Sequence, residues 1–60
     1  MFRVTFKSKL QYANPIYCVH TDCILLESNH EYYCIFTLGQ DLPCTVSKDM
    51  WEVFSVQLQE

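Results

Sequence analysis

Two six-residue stretches near opposite ends of the chain alternate between apolar and polar side chains: FRVTFK at residues 2–7 and FSVQLQ at residues 54–59. Successive side chains of a β-strand point to opposite faces of a sheet, so the alternation indicates two strands with one apolar face each. These faces consist of Phe2, Val4 and Phe6 in the first stretch and Phe54, Val56 and Leu58 in the second. The pattern predicts a β-protein whose first and last strands are available to pair.

The chain has 60 residues, which predicts a single small β domain over residues 1–60. A domain of this size buries only about 60% of the surface that its unfolded chain exposes, so its core is small. Half of the residues are apolar and 15% are aromatic. We therefore expect part of the apolar surface to remain exposed, or to be covered by association with another chain.

Between the two end strands, turn signals separate three further extended runs, at residues 16–27, 31–38 and 44–46. In the first of these runs, Thr21 and Asp22 predict a bend or bulge. The second run, EYYCIFTL, is rich in aromatic and β-branched residues and is the best candidate for a central strand. Ser47 and Asp49 suit the start of a helix, so we expect one short helical turn near residues 47–51 before the last strand.

The predicted order is strand, long turn, strand, short turn, strand, turn, short strand, helical turn and strand. This order resembles a Src-homology-3-like small barrel, which implies a mostly β, five-stranded antiparallel barrel or sheet. The resemblance is architectural, because the ALYDY-type motif and the paired tryptophans of that family are absent; binding of proline-rich ligands is therefore not implied. The alternative is an antiparallel sheet with a C-terminal helix from Ser47 onward.

The charge of the chain gives little indication of a partner. The formal net charge of −3 argues against nucleic-acid binding, which usually shows as a basic patch. Arg3, Lys7 and Lys9 nevertheless share one face of the first strand, where they suit a solvated surface. A weak nucleic-acid-binding barrel that uses these three residues and Tyr12 is the lowest-ranked functional alternative.

The four cysteines are each surrounded by large apolar residues, as in YCV, CILL, YCIF and PCTV. This setting predicts reduced cysteines in a core, and hence a cytoplasmic protein without a cofactor. No apolar run approaches the roughly 20 residues that span a bilayer, so no membrane segment is expected. Two alternatives remain: a disulfide, or a structural zinc-binding module with the ligands Cys18, Cys23, Cys34 and Cys44 and with His20 or His30 as substitutes.

The sequence contains no catalytic signature. Nucleophilic catalysis by a cysteine needs a base within hydrogen-bond reach. His20 shares strand parity with Cys18 and is a better candidate for that base than His30, which lies in a predicted turn. We predict that the chain is not an enzyme.

The main functional prediction is a non-enzymatic protein–protein interaction module, a small regulator or inhibitor of a larger protein, with a homodimer as one form of association. Exposed aromatic residues favour recognition surfaces. Tyr32 and Tyr33 are consecutive in a predicted strand and must point to opposite faces. The candidate partner-binding residues are Trp51, Met50, Tyr32, Tyr33, Tyr12, Asp49 and Glu52.

Overall fold

The computed structural model describes residues 1–10 and 13–59 and contains five antiparallel strands. The strands are β1 (Phe2–Ser8), β2 (Tyr17–Ser28), β3 (Tyr32–Thr37), β4 (Cys44–Ser47) and β5 (Trp51–Leu58). They lie in one sheet in the order β4-β3-β2-β1-β5. The predicted five-stranded β fold is therefore confirmed, and β1 pairs with β5 as expected.

The sheet is strongly curled into a half-barrel because β2 bends in its middle. Asp22 has a backbone φ of +58°, in the left-handed region that Asp tolerates better than most residues. Residues 17–20, before this bend, pair with β1, and residues 25–28, after it, pair with β3, while Cys23 pairs with both strands. The two halves of β2 act as separate segments, so the half-barrel has six strand segments. The bend predicted at Thr21 and Asp22 is confirmed.

Residues 48–50 form a turn and not a helical turn, and β5 begins directly afterwards at Trp51. The amide of Asp49 donates to Ser47 Oγ at 3.3 Å, so the serine does accept a hydrogen bond at this turn. The expected alternative with a C-terminal helix from Ser47 is wrong. The physical reason is that β5 pairs with the backbone of β1 and packs Trp51 and Val53 against the core, and a helix in its place would leave that side of β1 unpaired.

No part of residues 1–10 and 13–59 forms a helix with the length and apolarity that a membrane crossing requires. The described residues contain strands, turns, bends and irregular segments, and none of them is helical.

The concave face of the half-barrel carries the core. Its fully buried members are Val4, Phe6, Cys23 and Ile35. Partly buried residues packed against them are Cys18, Tyr33, Cys44, Val46, Trp51 and Val53. The core is as small as the chain length predicts, and large apolar side chains remain exposed elsewhere, as expected.

A β-bulge in β5 corrects the predicted face of Phe54. Thr5 pairs with Ser55, but Phe6 pairs with Val53, so β5 has one more residue than β1 at this point. The extra residue reverses the alternation. Val56 therefore lies opposite Val4 on the concave face, whereas Phe54 lies on the convex face.

Candidate interaction surface

Three exposed apolar side chains form a patch on the convex face of β2, β1 and β5. We call this group, Tyr17, Val19 and Phe54, the convex patch. The rings of Tyr17 and Phe54 meet in an edge-to-face arrangement, with centroids 5.1 Å apart and planes at 69°. The exposed fractions are 45% for Tyr17, 53% for Val19 and 58% for Phe54. These values are high for apolar residues of a paired sheet, and they place an apolar surface in contact with solvent.

Strand register explains why these residues share a face. Lys7 pairs with Tyr17 and Thr5 pairs with Val19, and cross-strand partners point to the same side of a sheet. Lys7 and Thr5 flank the buried Phe6, so their side chains point away from the core. The bulge in β5 adds Phe54 to this side, across β1 from Tyr17.

Charged side chains border the convex patch. Arg3 and Lys7 lie on the same face of β1 as Thr5, and Lys7 pairs with Glu52 of β5. Lys9 follows the strand and is exposed. The predicted basic face is therefore confirmed for Arg3 and Lys7, with the carboxylate of Glu52 on the residue paired with Lys7.

The predicted partner-binding residues do not form one surface. Met50, Asp49 and Glu52 are exposed at the turn before β5 and at its start. Trp51, between Met50 and Glu52, is half-buried and packs against the core. Its predicted role as an anchor in a partner's pocket remains a prediction, and in the free chain its apolar body covers the end of the core.

The two consecutive tyrosines point to opposite faces, as expected. Tyr33 packs against Phe6 with ring centroids 5.5 Å apart, and Lys48 Nζ lies 4.9 Å from the centroid of the Tyr33 ring. Tyr32 is exposed on the other side of β3. Tyr12, the remaining candidate, lies outside the described residues.

The four cysteines are free thiols. Cys18, Cys23 and Cys44 belong to the concave face, where they contribute to the core. Cys34 pairs with Glu27 and Thr45, between the concave positions of its neighbours, and so lies on the convex face. The four proposed zinc ligands are thus divided between two faces, and residues 1–10 and 13–59 hold no cluster of three or more potential metal ligands.

Cys18 and His20 lie side by side on the concave face, with Cys18 Sγ and His20 Nε2 3.4 Å apart. The spacing agrees with the predicted parity of this pair. The His20 ring also meets Phe6 edge on, with centroids 5.6 Å apart. His30 is exposed near the β2–β3 connection.

The thiol of Cys23 is held in its neutral form. Burial raises the pKa of Cys23, and the charge of Asp22 raises it further, while hydrogen bonds from the Thr37 side chain and the Val4 backbone lower it. The net effect is a raised pKa. A buried thiol of this kind is a poor nucleophile and a poor metal ligand, because both roles require the thiolate.

The sequence did not predict the contact between the rings of Tyr17 and Phe54. The alternation of the last strand assigns Phe54 to the apolar face with Val56 and Leu58, opposite to the side on which it meets Tyr17. The pattern WEVFSVQL contains no glycine or proline to indicate a bulge, and only the pairing with β1 determines where it falls.

The comparisons with known proteins add no relationship to this geometry. No family model, no curated protein and no solved structure matches the chain.

Proposed function

We propose that this chain is a non-enzymatic protein-interaction module, which regulates or inhibits a larger protein by covering part of its surface. The observation that carries the proposal is the contact at 5.1 Å between the rings of Tyr17 and Phe54 on the convex face. Aromatic side chains are enriched among the residues that dominate binding energy at protein interfaces. Two such rings, already in contact, need little ordering when a partner binds.

The charges beside the convex patch indicate the chemistry of the partner. Arg3 and Lys7 provide two basic groups on the same face, and Glu52 provides one acidic group. This balance favours a partner segment with an apolar anchor flanked by carboxylates. Because the patch contains only three residues, it forms the centre of an interface whose rim includes these charged side chains.

A site-specific photo-crosslinker is the first step of the test. We would replace Phe54 with a benzoyl-phenylalanine in one variant and Leu42 in a matched control. Leu42 is 80% exposed and lies in the connection between β3 and β4, at the opposite edge of the sheet from β5. A partner captured from Phe54 but not from Leu42 would then be purified and its affinity measured by calorimetry.

Alanine substitutions decide whether the convex patch binds that purified partner. We expect Tyr17→Ala and Phe54→Ala each to weaken binding about 5- to 30-fold, as for interface aromatic residues that contribute about 1–2 kcal/mol. Leu42→Ala should leave the affinity unchanged. If Tyr17→Ala and Phe54→Ala both bind as tightly as the unmodified chain while their circular dichroism is native, the proposal is wrong.

Nucleic-acid binding is a second candidate, because Arg3 and Lys7 share a face with two exposed aromatic rings. Aromatic rings beside basic groups are the elements with which small barrels bind single strands. The acidic net charge and the nearby Glu52 oppose it. Fluorescence anisotropy with labelled single-stranded oligonucleotides separates the candidates: binding that weakens steeply with added salt would support nucleic-acid recognition, and no binding at low salt would exclude it.

A further inference from the structure

We propose that β5 pairs in antiparallel fashion with β5 of a second copy of this chain, in a single register that sets Trp51 opposite Leu58 and Val53 opposite Val56. This inference concerns the open edge of the sheet and goes beyond the binding function of the convex patch. β5 is an edge strand of eight residues with one charged residue, Glu52, and no proline, glycine or lysine. Such an edge has few of the features that prevent strand pairing.

The β-bulge makes the faces of β5 symmetric along its length. From Trp51 to Leu58 the side chains point to the concave, convex, concave, convex, convex, concave, convex and concave faces in turn, as the pairing with β1 requires. This order is the same in both directions. In a regular eight-residue strand, the same antiparallel pairing would set concave positions against convex ones. The bulge therefore permits all eight residues to pair with a second copy.

The free backbone groups follow the same symmetry. Gln59 donates its amide hydrogen to Met1 O at 2.8 Å, and Lys9 donates to Met50 O at 2.8 Å. Because hydrogen-bonded pairs alternate in an antiparallel ladder, the register assigns the backbone groups that face β1 to Glu52, Ser55 and Gln57. The groups that point to the open edge belong to Trp51, Val53, Val56 and Leu58.

In the proposed register, the four residues with open-edge backbone groups in one copy lie opposite the same four residues in the second copy. Trp51 faces Leu58 of the second copy and Val53 faces Val56, each pair occurring twice. Each such pair exchanges two hydrogen bonds, which gives about eight across the interface. Val56 and Leu58 are 51% and 70% exposed in the single chain, and the pairing covers both with apolar side chains.

On the convex face, Glu52 lies opposite Gln57 of the second copy. No two like charges therefore face each other across the two β5 strands. Eight residues from each copy are fewer than the roughly 20–30 of a standard interface. We therefore expect a dimer that dissociates on dilution, with dissociation measurable by sedimentation equilibrium up to about 1 mM.

A pair of opposite charge substitutions tests this register. Gln57→Lys sets a lysine opposite Glu52 of the second copy, twice per dimer, whereas Gln57→Glu sets two like charges there. Position 57 and Glu52 of the second copy would form a non-hydrogen-bonded pair of the ladder. Side chains approach most closely in pairs of this kind. We expect Gln57→Lys to lower the dimer Kd and Gln57→Glu to raise it, each by roughly 2- to 30-fold.

The same substitutions should have the opposite effect within one chain. Gln57 pairs with Arg3 of β1. At a concentration where the chain is monomeric, Gln57→Lys should lower the denaturant midpoint and Gln57→Glu should raise it. Gln40→Lys and Gln40→Glu are matched controls for net charge, because Gln40 is exposed between β3 and β4.

Three results would overturn the proposal. The first is a chain that remains monomeric at about 1 mM. The second is a dimer whose Kd changes with Gln57 no more than with Gln40. The third is a dimer that survives Val56→Pro: this change removes an amide hydrogen directed at the open edge and leaves the β1-directed groups of β5 intact, so native circular dichroism with loss of the dimer is expected.

Discussion

The ring of Phe54 lies 5.1 Å from the ring of Tyr17, edge to face, on the convex side of the half-barrel. This contact exists because one extra residue in β5 turns Phe54 away from the core, while Val56 remains opposite Val4. Because of the same bulge, the order of concave and convex side chains along β5 is the same when read from either end. One β-bulge thus creates both the convex patch and an edge that is complementary to itself.

The first prediction contrasts the two phenylalanines at positions 6 and 54. Phe6 is fully buried, and among the side chains that the structure describes it shares complete enclosure with Val4, Cys23 and Ile35. We expect Phe6→Ala to cost about 3–5 kcal/mol, most of the total of about 3–9 kcal/mol for a domain of this length. Phe54→Ala should cost less than about 1 kcal/mol, because that side chain is mostly exposed. Urea denaturation of both variants measures the difference, and equal losses would contradict the assignment of Phe54 to the convex face.

The second prediction concerns Gly39, which has a φ of +86° in the turn after β3. A Cβ atom there would meet no heavy atom within 4 Å, so any cost of substitution comes from the backbone conformation alone. We expect Gly39→Ala to lower the free energy of unfolding by about 1 kcal/mol. A D-alanine at this position, introduced by chemical synthesis, should stabilise the chain because it favours positive φ. Equal effects of both forms would show that backbone strain is not the cause.

The third prediction is a loss of stability at alkaline pH that depends on Cys23. Burial raises the pKa of this thiol above its ordinary value, so the folded chain keeps the proton at pH values where the unfolded chain loses it. Deprotonation then favours the unfolded state, and the free energy of unfolding falls as pH rises through about 9. Denaturation between about pH 8 and pH 10 should show a shallower decline in Cys23→Ala than in the unmodified chain. Identical slopes would contradict the raised pKa.

The fourth prediction concerns the bend in β2. Gln59 Oε1 accepts a hydrogen bond at 2.9 Å from the amide of Asp22, and Leu38 donates to the Asp22 carbonyl at 3.0 Å. Gln59→Ala should cost about 0.5–1.5 kcal/mol and accelerate hydrogen exchange at the Asp22 amide. Gln57→Ala, in β5 two residues before Gln59, is the matched control. An unchanged exchange rate in Gln59→Ala would show that the amide is protected by other means.

Much of the fold is predictable from local patterns in the sequence. Alternation and turn residues are sufficient to predict five strands, because both signals act over a few residues. The matching apolar faces of the first and last strands make their pairing an expectation, which the register confirms. The bend at Asp22 is also predictable, since a polar residue interrupts two apolar runs. The turn before β5 differs from the prediction because Ser47 and Asp49 favour a helix start locally, while pairing of seven residues of β5 with β1 outweighs that preference.

The candidate surface was less accessible to sequence reasoning. Trp51 and Met50 are adjacent, yet Trp51 packs against the core and Met50 is exposed. The faces of Phe54 and Ser55 depend on which residues of β1 they oppose, and a regular alternating pattern does not reveal a one-residue slip. The convex patch is therefore a consequence of tertiary pairing, which composition and spacing do not determine.

The position of the Phe54 ring is the most direct test of this account. A two-dimensional NOESY spectrum of the dilute chain should contain cross-peaks between the ring protons of Phe54 and those of Tyr17, whose centroids are 5.1 Å apart. Val56, and not Phe54, should show cross-peaks to Val4. Cross-peaks from the Phe54 ring to Val4, without contacts to Tyr17, would place Phe54 on the concave face and would contradict both the convex patch and the symmetric edge.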